Sequence, residues 1–310
     1  MLPQSTLEPA GRDAERIAEL FWWMAAGGGL IWLAVIALSV YVLHYKPGTA
    51  SSEGAARSLI LGGGVIAPTV VLTVLLVFSL SLLPRVLALP ADGGLVIAVT
   101  GEQWWWRVRY MLPDGATIEL ANELRLPVGR RIEVRLASPD VVHAFWVPAL
   151  AGKMDAIPGR INRIALEPTR TGIFRGTCAE YCGASHSHMA FHVVVTEPGE
   201  FDDWLQRQAQ PAAAPVDAWR QRGRDTFAAN GCGACHAIRG TTADGVTAPD
   251  LTHVGSRVSL AAGTLANDRG GFFRWIFDAH RYKPDARMPA FGMLPPDDLL
   301  ALADYMDSLQ

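Results

Sequence analysis

Two long runs without a single charged residue, 21–43 and 58–83, restrict this chain more than any other feature. At about 1.5 Å of helix per residue each run is long enough to cross a bilayer. In hydrocarbon a lone segment satisfies its backbone polar groups only as a helix, so both runs are read as membrane spans. Pro68 lies inside the second run, which such helices tolerate. Gly27, Gly28 and Gly29, with Gly62, Gly63 and Gly64, suit a close helix contact. Trp22, Trp23, Tyr41 and Tyr45 fall near the ends of the first run, where amphipathic aromatics settle at a membrane interface. A signal peptide is the alternative for that run, but it is too long for a signal core and no basic segment closely precedes it. Residues 1–20 read as a polar tail, and 21–90 as the membrane section.

The chain has 310 residues, enough for two further domains beyond the spans. Its net charge of −3 gives no reason to expect a nucleic-acid partner. From residue 91 the pattern changes to short β-rich segments at 95–100, 104–110, 131–136, 160–166, 173–175 and 190–196. Turns such as Pro127-Val128-Gly129 and Ile157-Pro158-Gly159 separate them. That pattern predicts a β-sandwich or barrel over 91–207, closed by a short helix carrying Phe201, Trp204 and Leu205. Residues 208–215, rich in Ala and Pro, form a semi-extended linker, and 216–310 a second, all-α domain.

Only four cysteines occur, and both pairs sit in chemical motifs rather than in a disulfide framework. The first motif is Cys178-x3-Cys182-x3-His186-x2-Met189. Thiolate and thioether are soft ligands that suit copper. Two thiolates four positions apart can bridge two metals. Each metal needs a histidine, and His143 is the candidate for the second. Met189 would be a weak contact, and the Glu180 carbonyl is within reach. Structural zinc favours C-x2-C or C-x4-C and does not use methionine. His188 is a competing ligand that more often faces solvent or a partner, and His192 reads as strand packing. The second motif is Cys232-Gly233-Ala234-Cys235-His236, the C-x-x-C-H attachment sequence of c-type haem. Its thiols add to the haem vinyls and His236 reaches the iron. A thioether is expected opposite. Met288, followed by Pro289, is favoured over Met293, while Met306 reads as core. A helix before the motif, with Gly223 and Phe227 on one face, is expected to cross a C-terminal helix carrying Leu302 and Tyr305. Covalent haem attachment would place both large domains outside the cytoplasm, where the basic-residue rule is almost silent.

The first motif, with Asp140-Val141-Val142-His143, Val147-Pro148, Asp155-Ala156-Ile157-Pro158-Gly159-Arg160 and Gln103-Trp104-Trp105-Trp106, resembles the CuA region of subunit II of haem–copper cytochrome c oxidases. The resemblance implies a cupredoxin fold and a binuclear copper centre. By motif position the ligands are His143, Cys178, Glu180 through its carbonyl, Cys182, His186 and Met189. It also implies that the Glu180 carboxylate reaches a magnesium ion at the border with subunit I, and that electrons come in through Trp104. Trp105 and Trp106 read instead as interfacial aromatics. Residues 216–310 resemble class I cytochrome c. That implies Cys232, Cys235, His236 and Met288 around a covalent haem, with the Pro249 carbonyl orienting the imidazole.

The whole order resembles subunit II of a caa-type oxidase: a multi-domain membrane protein with a two-helix transmembrane hairpin, a cupredoxin-like β-sandwich and an all-α cytochrome c domain. The implied function is that of the electron-input subunit. Electrons would pass from haem c to the copper pair and on to subunit I, where oxygen is reduced to water with proton translocation. The implied partners are subunits I and III, membrane lipid, and an upstream cytochrome or quinol–cytochrome reductase. The implied place is a bacterial cytoplasmic membrane, with both domains on the periplasmic side. Leu61 stands where many members carry a glutamate, and the spans hold no acidic, basic or histidine side chain, so this chain alone offers no proton relay. A membrane-anchored copper chaperone, or an electron carrier to another reductase, are the alternative functions.

Overall fold

A computed structural model of the chain describes residues 4–45, 52–86, 88–90, 94–112 and 114–310. The helical section contains α1 (Arg12–Tyr45), α2 (Glu53–Leu61) and α3 (Ala67–Val86). Between α2 and α3 lies a π-helical turn, Gly62–Ile66, and Glu53–Val86 forms one apolar helical span. The π turn directly precedes Pro68, and the Ala67 N–H reaches back to the Gly62 carbonyl. A widened turn makes room for a residue that has no N–H to donate. The hydroxyls of Ser39, Thr69, Thr73 and Ser81 donate to carbonyls three or four residues back at 2.6–2.8 Å. Each polar group is thereby satisfied within its own helix. No residue of α2 or α3 is buried. The six glycines meet no neighbouring atom within 4 Å of an added Cβ, so the close helix contact expected of them is absent. Residue 46 to residue 51 of the connection, Pro113, and the expected domain start at 91 lie outside the described residues.

The β domain contains ten strands: β1 (Val96–Glu102), β2 (Trp105–Met111), β3 (Thr117–Ala121), β4 (Glu123–Pro127), β5 (Ile132–Ala137), β6 (His143–Trp146), β7 (Met154–Ala156), β8 (Asn162–Leu166), β9 (Gly172–Cys178) and β10 (Ala190–Thr196). They form two five-stranded sheets in the orders β3-β2-β1-β5-β8 and β4-β10-β9-β6-β7. Strands β1 and β5 pair in parallel, as do β10 and β4, and the other neighbours are antiparallel. Side chains alternate in and out along β1, where Ile97 and Val99 point inward. They join Val108, Tyr110, Leu124, Phe145, Phe174 and Phe191 in one core. Trp106 is fully buried there, edge-on to Phe145 and Phe191, rather than at an interface. It alternates inward with Val108 and Tyr110, so sheet geometry overrides its amphipathic preference. Helix α4 (Pro198–Ala209) covers this core with Phe201 and Trp204, the latter 5.4 Å from the Tyr110 ring.

The expected tail is partly structured. Ala10 donates to the Ala149 carbonyl at 2.6 Å and accepts from Thr169 N–H at 2.8 Å. Asp13 pairs with Arg131, and the Thr169 hydroxyl donates to Glu15 at 2.6 Å. Helix α1 therefore starts at Arg12, well before the charge-free run, with its first turn fastened to the β domain.

The second domain has α5 (Ala218–Ala229), a two-stranded β11 (Ser259–Leu260) and β12 (Leu265–Ala266), α6 (Arg269–Phe277) and α7 (Pro296–Ser308). A Cβ on Gly223 would lie 2.1 Å from the Ala301 carbonyl oxygen, so α5 and α7 cross at that glycine. The linker is extended but pinned: Ala212 N–H donates to the Arg239 carbonyl, and Arg239 donates to the Gln208 carbonyl. The two domains meet along a polar seam. Val258 N–H donates to Glu123 at 2.6 Å, Ser259 hydroxyl meets His192 Nδ1 at 3.0 Å, and Ala190 N–H donates to the Ala262 carbonyl at 3.1 Å.

Candidate metal and haem centres

One end of the β domain gathers the first motif. His143 opens β6, Cys178 closes β9, and Phe145 pairs with Cys178 across those strands. Met189 directly precedes β10, and its carbonyl accepts from Cys178 N–H at 2.9 Å. The intervening loop is thus clamped at both ends by sheet. Cys178 Sγ lies 3.9 Å from Cys182 Sγ, 3.9 Å from His143 Nδ1 and 3.2 Å from the Glu180 carbonyl oxygen. Cys182 Sγ lies 3.5 Å from His186 Nδ1 and 3.8 Å from Met189 Sδ. Each thiol therefore has one imidazole and one weak donor beside it. His143, Cys178, Cys182 and Met189 are buried, and the donor atoms of the first three lie within 4.8 Å of one another, close enough to hold a metal ion. Among the described residues the His188 imidazole reaches the Ser187 hydroxyl alone, and His192 is buried on the domain seam. The Glu180 carboxylate is exposed.

Asp140 accepts a hydrogen bond from His143 Nε2 at 2.9 Å. That bond fixes the tautomer that turns the bare Nδ1 toward the sulfurs. Burial works against the Asp140 anion, but hydrogen bonds from His143, Gln103 N–H and Val141 N–H outweigh it and hold the carboxyl below its usual range. The two thiols share protons: hydrogen bonding from Cys182 pushes Cys178 down, and the Cys178 thiolate pushes Cys182 up. Two glycines make room. An added Cβ on Gly101 would strike the His143 ring at 2.9 Å, and one on Gly183, at φ +113°, would press on Gln103 and Trp104. Trp104 Nε1 and Gln103 Nε2 both donate to the Cys182 carbonyl, at 3.0 and 2.8 Å. The six donors, three of them soft sulfurs, with an imidazole and a weak donor beside each thiol, fit two copper ions better than one zinc.

The second motif lines a cavity of about 570 Å³ together with Phe272, Trp275 and Met288. His236 Nδ1 donates to the Pro249 carbonyl at 2.7 Å, leaving Nε2 as the free ring nitrogen. Burial lowers the His236 pKa, which favours the neutral, ligand-competent imidazole. Two thiols, an imidazole and a thioether around one largely apolar cavity fit a covalently held haem. Met293 is 77 % exposed and lies outside the cavity wall. Met306 is buried and lines the wall from α7. The copper domain closes part of the same cavity through Glu102, Gln103, Trp104 and Trp105. Asp140, Gln103 and Lys283, whose ammonium donates to the Trp104 carbonyl, were not picked out from the sequence as site residues. Only the three-residue spacing of Asp140 before His143 carried a signal.

Residues 111–196 match the family described as cytochrome c oxidase subunit II, periplasmic domain, and 221–310 match cytochrome c. Cytochrome c oxidase subunit 2 of Alkalihalophilus pseudofirmus is 37 % identical over 71 % of this chain, a match spanning 62 % of the relative's length. The subunit 2 of Metridium senile is 33 % identical over 57 % of this chain and 76 % of its own. The crystal structure of the periplasmic domain of subunit II of cytochrome oxidase from Bradyrhizobium japonicum is 35 % identical, covering 39 % of this chain and 96 % of its own, with a TM-score of 0.36. By the family and sequence matches the chain belongs to the cytochrome c oxidase subunit II family and carries a cytochrome c domain at 221–310.

Proposed function

We propose that this chain is the electron-input subunit of a membrane-bound haem–copper oxidase, accepting electrons at its cytochrome domain and handing them, through the copper domain, to subunit I. The observation that carries the reading is the cluster of six donors formed by the Cys178 and Cys182 thiols and the four donors beside them. When bound, the copper pair and haem c supply one-electron transfer. The protein's part is rigidity. Sheet strands fix His143, Cys178 and Met189, so the ligands need not move when charge changes. Trp104 is 9 % exposed, stands in the haem cavity wall, and bonds through its indole N–H to the backbone of Cys182. It lies between the two sites, lining the cavity on one side and hydrogen-bonded to the Cys182 carbonyl on the other. Oxygen reduction and proton translocation belong to subunit I, because the spans of this chain hold no relay. An upstream cytochrome or quinol–cytochrome reductase is the donor, subunit III completes the complex, and the exposed Glu180 carboxylate offers magnesium a ligand at the subunit I border. The two apolar helices anchor the chain in a bacterial cytoplasmic membrane, with both large domains on the periplasmic side.

The test is metal content with electron paramagnetic resonance on the intact chain, matured with haem c and loaded with copper. Two coppers sharing one unpaired electron, beside one covalent haem, are expected. One localised Cu(II), or zinc in its place, would bring forward the copper-chaperone alternative.

A further inference from the structure

Lys283 stands where the two domains meet. The residue is 4 % exposed and lines the haem cavity. Its ammonium donates to the Trp104 carbonyl, a neutral acceptor, and this is its one hydrogen bond among the described residues. An ammonium has three donors. No ion pair of the described residues includes it, although buried cations are costly unless an anion faces them. Burial pushes its pKa down to about 7, against an opposing pull from Cys182. Two other cations line the cavity. Arg287 is 74 % exposed on its side chain, and Arg257 donates to the Asp250 carbonyl. Arg257 also bonds a neutral carbonyl and joins no ion pair among the described residues, but it is only half-buried; Lys283 is the most deeply buried of the three and sits against Trp104 of the copper domain. The neighbouring thiolates lose their negative charge to copper once the metal binds. The remaining anions that this cavity can receive are the two propionate carboxylates of the haem.

We infer that Lys283 is a positioning residue that pairs with a haem propionate and, through the Trp104 carbonyl, ties the haem to the copper domain. The inference rests on the proposed function, since it presupposes a covalent haem in this cavity. A cation beside the propionate offsets its charge, which favours the ferrous haem and raises its potential.

The experiment is a redox titration of the intact, haem- and copper-loaded chain, comparing the unaltered protein with Lys283→Met and Lys283→Arg. Haem is followed by visible absorbance and copper by electron paramagnetic resonance. Lys283→Met is expected to shift the haem reduction equilibrium about tenfold toward ferric, about 59 mV for one electron. Lys283→Arg should stay within about twofold of the unaltered protein, and the copper signal should not change. If Lys283→Met does not fold, Lys283→Gln carries the same expectation, since it too lacks the charge. An unchanged haem potential in a chain that retains its covalent haem overturns the inference alone. So does a shift confined to copper, which would make the thiolates the partner of Lys283. Failure of the unaltered chain to bind haem covalently overturns the proposed function itself.

Discussion

A candidate metal ligand is only as good as what aims it, and for His143 that is Asp140. The carboxylate accepts a hydrogen bond from Nε2–H at 2.9 Å, while the Val141 and Gln103 N–H groups hold the carboxylate in turn. Asp140→Asn keeps the size and removes the charge. It is expected to leave the fold intact and to weaken copper binding by about 10- to 100-fold, the usual cost of losing a carboxylate behind a ligating histidine. A chelator competition titration reads this directly, and unchanged affinity would remove Asp140 from the site. The contrast with the sulfur and imidazole donors is instructive. Cys178, Cys182, His186 and Met189 were legible in the sequence because one loop supplies all four and the spacing is chemical. Lys283 was not, because it lies far along the chain from Trp104, the residue it meets, and only the folded seam makes them neighbours.

Among the elements, the helix crossing was readable and several strands were not. Gly223 and Tyr305 sit on helical faces that a 3.6-residue period reveals, and α5 meets α7 there. Gly223→Ala would put a methyl against the Ala301 carbonyl and is expected to cost about 1–3 kcal/mol by overpacking. A fall in the thermal midpoint of the haem absorbance is the check, and an unchanged midpoint would mean the crossing tolerates a wider spacing. Strands β3 and β4 went unread because Asn122, at φ +59°, breaks a single mixed run and sends the chain from one sheet to the other. Nothing local marks that switch. The seam between β10 and β11 carries a titratable group, His192, 4 % exposed and opposite Arg175 in the strand register. Burial, then Arg175, lowers its pKa to about 4. An unfolded histidine titrates near 6.5, so the unfolded chain binds the extra proton first as pH falls. Stability is therefore full above about pH 6.5 and declines down to about pH 4, by on the order of 3 kcal/mol in all. Hydrogen exchange at 259–263 should rise across that window in the unaltered chain and much less in His192→Gln. Equal pH dependence in both would assign the effect elsewhere.

At the scale of the two folded domains, the question is whether the haem domain swings on its linker or stays docked. The sequence suggested a semi-extended tether, and a tether alone would act by raising the local concentration of donor. The folded chain has more than a tether. The linker is bonded to Arg239, and the seam is closed by Val258 on Glu123, Ser185 on the Pro284 carbonyl, and Lys283 on Trp104. Glu123, Ser185, His192 and Lys283 are all buried. Salt screens exposed charges beyond about 10 Å at 0.1 M, but it screens buried contacts far less. A swinging domain that must dock for each transfer would lose rate as salt rises if charge guided it. A domain already docked would not. Electron transfer between the haem and copper domains, followed after flash reduction of the haem, is therefore expected to change by less than about twofold between 0.01 and 0.5 M salt. Delivery from an external cytochrome across an exposed charged surface should fall steeply over the same range. A steep salt dependence of the internal step would show that docking is transient, and the buried seam would then describe only one pose among several.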